Sequence, residues 1–271
     1  MQPGMSGLTF GADHPLDGDI LLAAINGFTH LDIVAPKLEC YLAQGEFDIR
    51  DLKRLFLRTR PGALDGLSAV EFGAAGRDIL LARAEVLFKQ ARRVGAATLI
   101  VRPVPTEATA EEIVETLAAL GAAAQRWSVR LAVAPAPSAG ASRGEEPLTD
   151  PLASYAGLSA LMAQVDQPSL GLLIDTVAVA REAALDWLSS VPPEWIVHVH
   201  LADAAADGTG PRLLPGAGEL PLAGMLATLA TTGYDGIVTV ALTPEARPAA
   251  PGEIARAARE ALGALFASAG V

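Results

Sequence analysis

Six residues of types that do chemistry stand at the ends of apolar runs: Asp32, Glu71, Arg102, Asp175, His198 and His200, with Arg212 in the loop beyond the last pair. Carboxylates and imidazoles can move a proton near neutral pH or hold a divalent ion, and a planar guanidinium suits the flat face of a carboxylate or phosphate. His198-Val199-His200 is the sharpest local pattern. In an extended strand alternate side chains share one side, so both imidazoles face the same way. A charge at the end of a buried run is costly unless it is solvated or paired. Two readings follow: each acid pairs with a neighbouring arginine as a purely structural bridge, or the set lines a polar pocket for a ligand. Seven such residues at comparable places favour the pocket.

What must position them is a series of short apolar runs. Runs at 8–12, 29–34, 67–72, 98–102, 129–134, 171–175, 196–201 and 237–242 are near-continuous aliphatic stretches, the pattern of parallel strands covered on both faces. Helix-period stretches lie between them at 48–58, 77–94, 110–127, 151–165, 183–189, 222–232 and 252–267. The clearest is 77–94, where Leu80, Leu81, Ala84, Leu87, Phe88 and Ala91 make one stripe, and Gly95 and Gly233 follow helices where a left-handed cap is wanted. Eight strand–helix units in 271 residues predict an α/β protein, a single-domain (β/α)8 TIM barrel over residues 1–271. A doubly wound open sheet is the alternative, but no G-x-G-x-x-G or Walker A string occurs in the chain. Two Gly/Pro/Ala-rich segments, 135–147 and 202–218, follow strands, and in a barrel such loops lie on the face where active sites are built. A disordered insertion is an equal reading for the first of them.

Composition excludes several classes. A net charge of -11 argues against nucleic acid, which needs a clustered basic face. One cysteine, Cys40, excludes a disulfide scaffold and a thiolate metal cluster and suits a reducing compartment. No Lys or Arg precedes Lys37, unlike the positive start of a secretory signal, and the uncharged stretch 220–234 is broken by Pro, Gly and Thr. A cytoplasmic protein with no membrane or nucleic-acid partner is expected, and a homodimer is compatible with it.

From residue 171 onward the phrases GLLIDT, HVHLAD, RLLPGAGEL and GYDG occur in that order. R-x-x-P-G-x-G-E after H-x-H-x-x-D resembles the xylose isomerase-like TIM barrels, the sugar phosphate isomerase/epimerase group, and GFTHLD at 27–32 is similar to its second strand. The resemblance implies an isomerase or epimerase of carbohydrate metabolism acting on a small sugar, sugar phosphate or hydroxy/keto acid. It also implies one divalent ion (Mn, Mg or Zn) held by Glu, Asp, His and Glu from strands 5 to 8. Carried onto this chain, the metal ligands are Asp175 and His200, while Ala134 and Ala241 stand where the two glutamates belong. Those glutamates are also the family's acid/base pair, a task alanine cannot perform. Three readings therefore stay open. In one, Asp175, His198 and His200 still act on a sugar-like ligand, with Glu71 or Glu245 filling a missing role and with Arg102, Arg212 and Asp32 binding the substrate. In the second, the pocket binds a carbohydrate or anion without turnover. In the third, the site is a relic and the chain acts through assembly.

Overall fold

Seven of the eight apolar runs form strands, and the strands close. In the computed structural model, which describes residues 1–45, 48–137, 150–242 and 250–271, eight parallel strands pair in chain order into one barrel. They are β1 (Gln2–Ser6), β2 (His30–Val34), β3 (Arg60–Val70), β4 (Thr98–Pro103), β5 (Arg130–Val133), β6 (Leu170–Asp175), β7 (Ile196–Leu201) and β8 (Ile237–Val240). Closure is made by β8 pairing with β1, with Met5 opposite Val240. The helices among the described residues are α1 (Leu16–Ile25), α2 (Ala35–Ala43), α3 (Ile49–Leu55), α4 (Arg77–Val94), α5 (Ala110–Arg126), α6 (Tyr155–Val165), α7 (Thr176–Arg181), α8 (Leu185–Leu188), α9 (Leu222–Thr232) and α10 (Pro251–Ala269). None of them is long and apolar enough to cross a membrane.

The first strand differs from the expectation at 8–12, which is a short 3-10 turn, Gly7–Phe10. The barrel instead closes through Gln2–Ser6, a segment containing Pro3 and Gly4. Both are poor strand formers, so only the need for a strand between β8 and β2 explains their extended backbone. The third strand is also longer than expected, beginning at Arg60 and carrying two irregularities in its pairing with β4. Helices α1, α2 and α7 lie outside the helix-period stretches of the sequence. The first carries little amphipathic contrast, the second follows β2 with no intervening loop, and the third follows β6 directly with Asp175 as its N-cap.

Burial explains the rest. Along α4 the stripe Leu80, Ala84, Leu87, Phe88 and Ala91 is buried against the barrel, and Gly95 ends the helix at φ 93, returning its N–H to Ala91 O. Outward-facing strand residues such as Leu31, Leu99, Val101, Leu131, Ile174 and Val199 fill the layer beneath the helices. Inside the barrel the two halves differ. Ala63, Ile100, Ala132, Ala134 and Leu173 form a separate small apolar cluster. Asp32, His198, His200 and Thr239, contributed by β2, β7 and β8, are also buried. The deep polar cluster thus stands on the β2, β7 and β8 side, while the charged groups Asp65, Arg102 and Asp175 come from β3, β4 and β6.

The loop 202–218 is ordered. Asp203 exchanges both backbone hydrogen bonds with Leu213, and its carboxylate accepts the N–H groups of Ala204, Gly216 and Leu220. Most of the 135–147 segment lies outside the described residues.

Candidate functional site

The site is built in two levels. At the lower level Asp32, on β2, is fully buried. Its Oδ1 accepts the N–H of Ala63 (2.9 Å), and its Oδ2 accepts from Nε2 of His198 (2.7 Å) and Nε2 of His200 (3.1 Å). Thr239 Oγ1 lies 3.2 Å from the same His198 nitrogen. Gly62 is required beneath this carboxylate, because a Cβ there would overlap Asp32 Oδ1. Burial alone would raise the Asp32 carboxyl, but the two imidazoles beside it win and hold it far below the usual carboxylate range.

At the upper level Arg102, on β4, joins this cluster to the mouth. Its Nη2 donates to Asp65 Oδ2 (3.0 Å) and lies 3.3 Å from His200 Nδ1. Since Nε2 of His200 donates to Asp32, its Nδ1 is the acceptor that faces the guanidinium. Burial, together with the positive charge of Arg102, lowers the His200 pKa against the pull of Asp32. Burial opposes the charge of Arg102, yet Asp65, Asp175 and Asp32 more than restore it. Across the mouth Arg212, carried on the loop that Asp203 holds, donates to Asp175 Oδ2 (2.8 Å). Asp175 Oδ1 accepts the N–H groups of Val177 and Ala178 at the start of α7. Burial would raise the Asp175 carboxyl, but Arg212, with His200 and Arg102 beside it, outweighs burial and holds it below its ordinary value. Tyr155 fixes this strand end from behind, its hydroxyl donating to Leu173 O (3.0 Å) and accepting the N–H of Asp175 (2.7 Å).

Above these groups opens a cleft of about 380 Å³ at the carboxyl ends of the strands, walled in part by Arg102, Ala134, Asp175, Arg181, Glu182 and Arg212. The side chains of Arg102 and Arg212 are 30% and 23% exposed, and apart from Nη2 neither guanidinium makes a hydrogen bond among the described residues. Donors are therefore left over for a ligand. Glu182 accepts the N–H of Tyr155 (2.8 Å), and burial pushes its carboxyl up to about 7 against that bond and Arg181.

The residues singled out in the sequence thus divide. His198, His200, Asp32 and Arg102 form one connected network, and Asp175 pairs with Arg212 beside it. Asp32, expected at the substrate, lies beneath the network with no exposed surface. Glu71 is exposed past the end of β3 and does not line the cleft, and Glu245 falls outside the described residues. Asp65 and Glu182 were missed. Asp65 lies in the half of β3 that precedes the apolar run, and Glu182 follows a helix with no sequence signature of its own. Asp32, His198 and His200 also bring three ligand-type atoms within 4.8 Å of one another, close enough for one metal ion.

The model of the xylose isomerase-like TIM barrels matches residues 23–265. The chain belongs to that family. Solved structures agree with this xylose isomerase-like barrel in fold. The IolI protein, determined with a bound zinc atom, aligns with TM-score 0.84 at 19% identity over 98% of both chains. A xylose isomerase domain protein from Alicyclobacillus acidocaldarius gives 0.81 at 22% over 100% of both. D-psicose 3-epimerase from Clostridium cellulolyticum, solved with D-tagatose, gives 0.78 at 18% over 99% of both. No curated protein matches the chain at the level of sequence.

The family resemblance implies a divalent ion at the mouth, and the donors there do not fit one. Ala134 and Ala241 offer no ligand atom. Both oxygens of Asp175 and both ring nitrogens of His200 already face protein donors or acceptors.

Proposed function

We propose that this xylose isomerase-like barrel takes a small sugar-like ligand with an anionic end, a sugar acid, sugar phosphate or hydroxy/keto acid, in the cleft above β4 to β7. The observation that carries this reading is the pair of partly open guanidiniums, Arg102 and Arg212, each anchored by a carboxylate through one nitrogen and with other N–H groups uncommitted among the described residues. A guanidinium so fixed is preorganised for a carboxylate or phosphate. Glu182 on the same wall supplies an acceptor for a ligand hydroxyl. Structural neighbours include an epimerase solved with a ketose, which favours the same ligand class with an isomerase or epimerase reaction. In that reaction Glu182, with a carboxyl near neutrality, is the wall residue suited to take and return a proton beside a carbonyl. His200 and Asp32 act behind Arg102 by holding it in place.

A second reading, binding without turnover, is favoured by one specific observation: alanine at 134 and 241 in place of the family's acid/base glutamates. One experiment addresses both. Thermal-shift titrations with sugar phosphates, sugar acids and keto acids, beside the matching neutral sugars, should show stabilisation by the anionic set that is lost in Arg212→Ala, since ligands of the native state raise its stability. Equal stabilisation by neutral sugars would refute the anion reading. Incorporation of solvent deuterium into a bound ketose phosphate separates turnover from simple binding.

A further inference from the structure

We infer that the resident cation of the barrel mouth is the guanidinium of Arg102, standing in place of a divalent metal ion. The inference deepens the ligand reading above and rests on it only for the ligand's identity. Its core is a matter of occupied atoms. A metal held by Asp175 and His200 needs a lone pair from each. His200 Nε2 is committed to Asp32 (3.1 Å), so the ring could offer only Nδ1, and Nη2 of Arg102 lies 3.3 Å from that atom. Asp175 Oδ1 caps α7 and Oδ2 holds Arg212 at 2.8 Å. The same Nη2 of Arg102 is anchored by Asp65 (3.0 Å), a residue on β3 with 4% of its surface exposed.

Charge leads to the same conclusion. Asp32, Asp65 and Asp175 all draw on the guanidinium, which is the work that a bound cation does in a cluster of buried acids. A divalent ion placed beside Arg102 would meet a fixed positive charge within a few ångströms, in surroundings that screen poorly. The deeper trio, Asp32, His198 and His200, is near enough to grip an ion, but Asp32 Oδ2 already receives both imidazole Nε2 atoms and Oδ1 receives Ala63 N–H. The chemical consequence is specific. An oxyanion or carbonyl oxygen in the cleft is met by directional N–H donors, so the ligand's geometry is set by a planar fork and not by a coordination sphere.

The test measures metal in the folded chain with no organic ligand present. The full-length protein is loaded with MnCl2 or ZnCl2, dialysed, and assayed by plasma mass spectrometry and by thermal unfolding with and without EDTA. Wild type is expected to retain no stoichiometric metal and to unfold at the same temperature in EDTA. Arg102→Gln removes the charge and keeps an amide donor for Asp65, and its affinity for Mn is expected to rise on the order of tenfold or more. Arg102→Lys keeps the charge and should behave as wild type. One equivalent of metal retained by wild type and lost in His200→Ala would overturn the inference, whether the ion sits at the mouth or in the deeper trio. Equal Mn affinity in wild type and a folded Arg102→Gln would overturn it as well. Failure of every anionic ligand to bind, with these metal results intact, would instead count against the ligand reading alone.

Discussion

Asp32→Asn is the most informative single change, because it alters one buried atom and leaves the volume alone. Asp32 accepts from three donors, Ala63 N–H on one oxygen and two imidazoles on the other. An asparagine has one acceptor oxygen and one donor NH2, so it cannot serve both sides. With its oxygen toward the imidazoles, the NH2 confronts Ala63 N–H and orphans it, at about 1–3 kcal/mol. Two charge-assisted bonds also become neutral ones, each losing about 1 kcal/mol. With the amide reversed, both imidazoles must move their protons, and His200 would then aim Nδ1–H at Arg102. Either orientation costs about 3–5 kcal/mol, the range found when one partner of a buried pair is removed. Urea unfolding followed by tryptophan fluorescence reads this as a lower midpoint at unchanged slope. The pH dependence has a fixed sign. The folded carboxyl lies far below its unfolded value of about 3.9, so the stability it confers is present above that value and fades as pH falls below it. The gap between wild type and Asp32→Asn should therefore be full above about pH 5 and narrow below about pH 4. A gap under about 1 kcal/mol at neutral pH would refute the claim that this carboxylate organises the barrel interior.

Two further changes probe the cleft wall. Tyr155→Phe orphans Leu173 O and Asp175 N–H, both beside the site, and should lower stability by about 2–4 kcal/mol in the same urea assay, while a loss below about 1 kcal/mol would show that water or a shift in β6 replaces the hydroxyl. Glu182 has its folded carboxyl raised to about 7, so its favourable contribution is complete below the unfolded value of about 4.3 and disappears as pH climbs through 7. Glu182→Gln does not titrate, and it should match wild type near pH 4 but exceed it by about 1–2 kcal/mol at pH 8, a figure reduced for the residue's partial exposure. Parallel stability curves for the two proteins from pH 4 to 8 would place Glu182 in open solvent.

Fold was legible wherever packing and sequence ask for the same thing. The run 196–201 and the helix at 77–94 match β7 and α4 residue for residue, because a strand buried on both faces and a long amphipathic helix each leave an unmistakable pattern. It was illegible at β1, where Pro3 and Gly4 are held extended by their neighbours and by nothing local. Site residues followed the same division. His198 and His200 announced themselves by alternation, and Arg102 and Asp175 by ending apolar runs. Asp65 did not, because its strand begins among Arg60, Pro61 and Gly62, which look like a turn. The pairings of Asp32 with the two histidines span 166 and 168 residues, and no local pattern carries that information.

Ala134 and Arg102 belong to one arrangement. Ala134 follows Val133, the register partner of Val101, so it sits next to Arg102 on the neighbouring strand end. A glutamate at 134 would stand within reach of the guanidinium, pair with it, and draw it away from His200 and the open cleft. Alanine leaves that space to the cleft, whose wall it forms. Alanine at 134 thus offers a metal no ligand atom and leaves the guanidinium of Arg102 facing the cleft.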